Sequence, residues 1–252
     1  MYVTSSMFRY ISSRVKKALA ALALLSIEMA VVLVIFLLSL IAFVVIVRHI
    51  FVMKDSQFDF RVFDFLSSHV SPRNNGIMLF FTALGKHTFL IPANIALIII
   101  FLFVRRHRWY SIKVPAIALS SLALMFLLKN LFDRPRPDIP LLEEARGLSF
   151  PSGHALMSVT FYGLLIYIVW KLVGIKWLKW TLVVLLAFLI FVIGFSRIYL
   201  RVHYASDVLA GFAVGFLWLV FSIWALNRME KFSNRKVDPV VTSESTVAEQ
   251  KV

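Results

Sequence analysis

Long apolar runs broken by short polar intervals organise this chain. Stretches near 24–47, 77–104, 114–131, 154–173, 177–195 and 206–226 are each apolar over about the 20 residues a helix needs to cross a hydrocarbon core. The pattern predicts an all-α, polytopic membrane protein with six transmembrane helices. The second run is long and holds Gly85-Lys86-His87 and Pro92, so it is expected to kink or to begin with a non-spanning piece. Between the first two runs, Phe58, Val62, Phe65, Leu66 and His69 recur at helical spacing. They predict an amphipathic segment near 55–70 that lies on the membrane surface. The chain thus divides into a basic N-terminal segment, 1–23, one membrane domain, 24–226, and a polar tail, 227–252, expected to be disordered.

Composition strengthens the membrane reading. The chain has 252 residues and is 60% hydrophobic, against about 45–50% in soluble domains. It has no cysteine, which removes disulfide frameworks and thiolate metal sites. A net charge of +14 raises nucleic acid as a partner, but the basic residues cluster at the ends of apolar runs. There they read as topology signals and contacts to anionic headgroups, so the expected partner is the lipid bilayer and not nucleic acid. Arg9, Arg14, Lys16 and Lys17 precede the first run, which continues to Val47 and is too long for a signal-peptide core. That helix is expected to be retained, with Glu28 at its interfacial start.

Loop charge sets the expected orientation. If the helices alternate sides, one side holds the N-terminal segment, 105–113, 171–176 with nearby Lys179, and the tail, with 16 Lys and Arg in all. The other side carries 10, together with Asp55, Asp59, Asp64, Asp133, Asp138, Glu143 and Glu144. Both termini are therefore expected in the cytoplasm of a multi-pass inner-membrane protein. The loops after the third and fifth helices then face the periplasm or exterior.

Those two loops hold the polar clusters that carry chemistry. His203 and Asp207, four apart at the mouth of the last helix, share one face. The carboxylate can accept the imidazole Nδ1 proton and leave the Nε2 lone pair free as nucleophile or base; a structural His–Asp cap is the plainer alternative. Arg197, on the other limb of the same loop, can aim a fork of donors at a tetrahedral anion. Pro151-Ser152-Gly153-His154 reads as a capped helix start with amides free for an anion. His154 could then protonate a leaving oxygen, although an ordinary capped transmembrane helix would look the same. Lys129 ends the third helix, Pro135 and Pro137 hold Arg136 in extended chain, and Arg134 could share its role.

Taken in order, the clusters resemble the type 2 phosphatidic acid phosphatase family. The resemblance rests on Lys129 with six residues before Arg136-Pro137, on Pro151-Ser152-Gly153-His154, and on Ser196-Arg197 with five residues before His203 and three more before Asp207. It covers roughly 24–226. It implies an integral membrane lipid phosphatase in which His203 forms a phosphohistidine, Asp207 orients it and His154 shuttles the proton. Lys129, Arg136, Ser152, Gly153 and Arg197 would bind the phosphoryl oxygens. No metal or cofactor is implied.

The substrate implied is a membrane lipid phosphate. Undecaprenyl pyrophosphate comes first, with phosphatidylglycerol phosphate, phosphatidic acid and lipid A phosphates as alternatives. A lipid phosphotransferase would use the same intermediate. A transporter would place such groups near the bilayer midplane instead, and the related haloperoxidases are soluble. Gly211-Phe-Ala-Val-Gly215 reads as a packing face within the chain and leaves the oligomeric state open.

Overall fold

The computed structural model describes residues 27–104, 107–138, 140–142 and 146–249, with side chains described as far as 234. The N-terminal segment 1–23, the first residues of the first run, Glu143 and Glu144 lie outside the described residues. Among those described there is no strand. Helices α1 (Ile27–Val47), α2 (Gln57–Ser67), α3 (Pro72–Leu84) and α4 (His87–Ile99) are followed by α5 (Arg108–Phe132), α6 (Gly153–Leu172), α7 (Lys176–Tyr199) and α8 (Ala205–Glu249). Single wider turns, Arg48–Val52 and Ile100–Val104, extend α1 and α4.

Among the described residues, six helices are long and apolar enough to cross a membrane: Ile27–Val52, His87–Val104, Arg108–Phe132, Gly153–Leu172, Lys176–Tyr199 and Ala205–Asn234. The all-α fold with six spanning helices is the one the apolar pattern predicts, with shifted boundaries. The chain divides into two units after Leu38. The described part of the first, residues 27–38, is helical and apolar except for Glu28.

In the second unit α6 packs against α5, α7 and α8. Glycines let α8 approach closely: a Cβ on Gly211 would stand 2.7 Å from the Ser152 carbonyl oxygen, and one on Gly215 3.0 Å from that of Leu156. Helix–helix packing in lipid relies on such close approach, and here the Gly211–Gly215 face serves contact within the chain, as its spacing suggests.

The second apolar run breaks at Gly85-Lys86, whereas Pro92 sits inside the continuous helix α4. Lys86 is extended (φ −73°, ψ 148°), and a Cβ on Gly85 would meet Ile193 at 2.6 Å and the His154 ring at 3.0 Å. The break therefore lies where the chain presses on α6 and α7.

One other expectation shifts. The inward face of α2 is Asp59, Phe63 and Leu66, while Phe58 and Phe65 point outward. The cause is that Phe63 and Leu66 join Ala155, Ile198, Ala205 and Val208 in one apolar cluster. Helix α8 runs past residue 226, to Glu249. Its nearer part is anchored, since buried Lys113 donates to Asn227 Oδ1 at 2.7 Å and to Glu230 Oε2 at 2.6 Å.

Candidate active site

Four helix ends and their connections converge: the end of α5, the start of α6, the end of α7 and the start of α8. The Ser152 amide donates to the Asp207 carbonyl (2.9 Å), and the Ser149 amide to that of Arg134 (2.8 Å). Leu141 N–H donates to Leu200 O at 3.0 Å, joining the two connecting loops. Phe150, fully buried after the α5 loop, stacks among Phe43, Phe51 and Phe132 and fixes the approach to the cis Phe150–Pro151 peptide.

At the centre is His203, buried to 2% exposure. Its Nδ1 stands 3.6 Å from Asp207 Oδ2, too long for a hydrogen bond. Ser149 fills the gap: its hydroxyl donates to Asp207 Oδ2 and lies 3.3 Å from His203 Nδ1. With the Ser149 proton given to Asp207, Nδ1 is the donor to Oγ, and the Nε2 lone pair remains. Arg136 Nη1 donates to that nitrogen at 3.2 Å and to Val202 O at 2.7 Å, while its Nε donates to Gly147 O at 2.9 Å. Burial dominates the His203 titration and lowers its pKa to about 4; Asp207 opposes the shift, and Arg136 and Arg197 add to it. Burial lowers the pKa of Arg136 as well, against the pull of Asp207.

The remaining residues of the three clusters surround this pair. Lys129 reaches the Leu148 carbonyl with its ammonium and lies within electrostatic range of Arg136 and Asp207. Arg197 is buried at the end of α7, where Nη1 donates to Thr82 Oγ1 at 2.6 Å. The His154 ring lies within electrostatic range of Arg197, His203, Lys86 and Arg136. Its buried Nε2 has no hydrogen-bond partner among the described residues. Ser152 caps α6, with Oγ accepting from the Ala155 amide. Its own amide is already engaged by Asp207 O, so it offers an anion less than the sequence suggests. A Cβ on Gly153 would strike Met125 Sδ at 2.7 Å, so the glycine admits α5 as well as any ligand.

Arg134 does not share the place of Arg136. It is buried, donates to Asp207 Oδ1 (2.6 Å), Ser206 Oγ (2.9 Å) and Asp59 Oδ2 (2.8 Å), and covers the Tyr204 ring at 4.1 Å. Sequence reasoning missed Ser149, Asp59 and Thr82. The signal for Asp59 was its place four and seven residues before Phe63 and Leu66, which puts a carboxylate on the buried face. Beside Asp59 and Ser206, a cleft of about 290 Å³ opens between apolar walls that include Val45, Ile46, Ile50, Phe58 and Leu209. Among the described residues, no three His, Asp or Glu side chains converge as metal ligands.

The chain is similar to known proteins. A family model described as the PAP2 superfamily matches residues 110–231, a span that contains every site residue from Lys129 to Asp207. Phosphatidylglycerophosphatase B of Bacillus subtilis (strain 168) is 33% identical over 147 residues, 58% of this chain and 72% of that protein. Undecaprenyl-diphosphatase of Sulfolobus acidocaldarius is 30% identical over 171 residues, 65% of this chain and 76% of that protein. The crystal structure of a transmembrane PAP2-type phosphatidylglycerolphosphate phosphatase from Bacillus subtilis superposes with a TM-score of 0.67 at 25% identity. That match covers 78% of this chain and 96% of the other. With relatives of this similarity and a matching helical fold, the chain belongs to the PAP2 superfamily and is a multi-pass membrane phosphatase.

Proposed function

We propose that this membrane lipid phosphatase cleaves a terminal phosphate from a lipid through a phosphohistidine on His203, at the periplasmic or outer face of the cytoplasmic membrane. The observation that carries the reading is the His203–Ser149–Asp207 chain, which favours the tautomer with Nδ1 protonated and the Nε2 lone pair facing the Arg136 guanidinium. Nε2 attacks phosphorus, a P–N bond forms and the P–O bond to the lipid breaks. His154 Nε2 protonates the departing oxygen, and Asp207, through Ser149, balances the positive imidazole. In the second step His154 takes a proton from water, the oxygen attacks phosphorus, and the P–N bond breaks to release inorganic phosphate and restore His203. Lys129, Arg136 and Arg197 hold the non-bridging oxygens, with the start of α6 at Ser152 and Gly153 beneath them. These cations supply the counter-charge, so no metal or cofactor takes part.

The side of the membrane is argued from the sequence: if the helices alternate sides, the segments on the side opposite the site's loops carry 16 Lys and Arg against 10. The apolar cleft beside Asp59 suits an acyl or prenyl tail entering sideways. Undecaprenyl diphosphate is the first substrate we propose, in line with the relative named undecaprenyl-diphosphatase. Phosphatidylglycerophosphate is the second, favoured by the 33% identity to phosphatidylglycerophosphatase B.

A panel assay tests this. The full chain in detergent micelles is given undecaprenyl diphosphate, phosphatidylglycerophosphate, phosphatidic acid or lipid A, each with EDTA, and free phosphate is measured. Sustained release of inorganic phosphate from at least one lipid is expected. Complete loss of activity on chelation would contradict the mechanism. Phosphate recovered on an acceptor lipid would make the enzyme a phosphotransferase.

A further inference from the structure

We propose that Asp59, on the short helix α2, is a positioning residue that acts through Arg134 to fix the Asp207 carboxylate; the inference rests on His203 being the nucleophile. Three charged side chains from distant parts of the chain lie together away from solvent: Asp59 at 2% exposure, Arg134 at 8% and Asp207 at 0%. Buried charges persist only when paired and hydrogen-bonded, and here both carboxylates share the Arg134 guanidinium and accept further hydrogen bonds. Arg134 splits its fork between the two carboxylates, with Nη2 on Asp59 Oδ2 at 2.8 Å and Nη1 on Asp207 Oδ1 at 2.6 Å. Asp59 also accepts from the Ser206 amide (2.9 Å) and the Ser206 hydroxyl (2.6 Å). It therefore caps the first turn of α8 from outside, one residue before Asp207.

The division of the fork decides what Asp207 can do. Arg134 takes Oδ1, which leaves Oδ2 for Ser149 and the Tyr204 amide (3.0 Å) and faces it toward His203 Nδ1. Neutralising Asp59 releases Nη2, and a guanidinium with both nitrogens free can engage both oxygens of one carboxylate. Asp207 would then lose its hold on Ser149, and His203 its fixed tautomer. A helix that packs by its Phe63 and Leu66 face thus reports its docking to the nucleophile.

A simple staple between α2 and α8 would share these contacts, so the test must read the rate at each competent site. The full chain in detergent is mixed with the lipid phosphate that the wild type hydrolyses fastest and is quenched on the millisecond scale. Burst amplitude counts the sites that form phosphohistidine, and the rate constant reports their orientation. Asp59→Asn is expected to slow phosphorylation about 10- to 100-fold, by analogy with the loss of hydrogen-bond partners that orient metal ligands. Substrate affinity should stay near wild type, as should the burst amplitude once corrected for the slower formation. Arg134→Lys, which keeps the charge and loses the fork, should slow the same step and stands in should Asp59→Asn fail to fold. Asp59→Asn added to Arg134→Lys should cost little more than Arg134→Lys alone. Asp64→Asn, on the exposed face of the same helix, should leave the rate unchanged.

A reduced amplitude with a wild-type rate constant at the surviving sites would overturn the proposal in favour of a staple. An unchanged rate in Asp59→Asn, with a normal wild-type intermediate, would overturn it alone. Turnover retained by His203→Ala would overturn the nucleophile assignment and this role with it.

Discussion

In the proposed mechanism His203 attacks phosphorus only while Nε2 keeps its lone pair, and its neighbours work on that in opposite directions. Burial and the charges of Arg136 and Arg197 disfavour the imidazolium, while Asp207 favours it; the balance leaves a pKa of about 4 against an ordinary 6.5. The ring is therefore neutral, and competent, throughout the physiological range. NMR titration of labelled histidine should show His203 unprotonated at pH 5.5, and Asp207→Asn should lower its pKa further by removing the opposing charge. A midpoint near 6.5 would mean the ring is not buried as described. The same shift links to stability. Between pH 6.5 and about 4 the unfolded chain binds a proton at this position that the folded chain does not, so His203 makes the fold less stable as pH falls through that window. At this scale the sequence exposed the residues that repeat at short spacing, such as His203 with Asp207. Ser149, Asp59 and Thr82 act on partners 58, 75 and 115 residues away, and no local pattern marks such a pairing.

Among the elements, α6 and α8 set the register of the site. Gly211 faces Ser152 O and the Ala155 Cβ at 2.7 and 2.9 Å from where a side chain would begin, so α8 can hold Asp207 against the start of α6 only without one. Gly211→Ala should force the helices apart at a cost of about 1–3 kcal/mol, as overpacking generally does, and should lower activity along with thermal stability. Gly76→Ala is the comparison, because a Cβ there meets nothing within 4 Å and lies inside α3. It should be neutral or slightly stabilising. Equal melting temperatures for the two variants would show that α6 and α8 are not in close contact. Hydrophobic period and length made the spanning helices legible. They could not say where the second run breaks, because that depends on Ile193 and His154 pressing on Gly85 from other helices. Nor could they give the phase of α2, whose aromatics lie on both faces.

Over the whole molecule, residues from Asp59 to Asp207 meet at one end of a helical bundle, and the function follows from that meeting. The proposed orientation in the membrane rests on loop charge, and the proposed catalytic centre on the contacts between α5, α6, α7 and α8. The claim that unites them is that His203 carries the phosphoryl group between lipid and water. The most direct measurement is to quench the full chain during turnover of a 32P-labelled lipid phosphate, under alkaline conditions that preserve phosphohistidine, and to locate the label by peptide mapping. The account predicts an acid-labile phosphoryl group on the peptide containing His203, absent from His203→Ala, which should also lose turnover. Label on another residue, or continued turnover by His203→Ala, would contradict it.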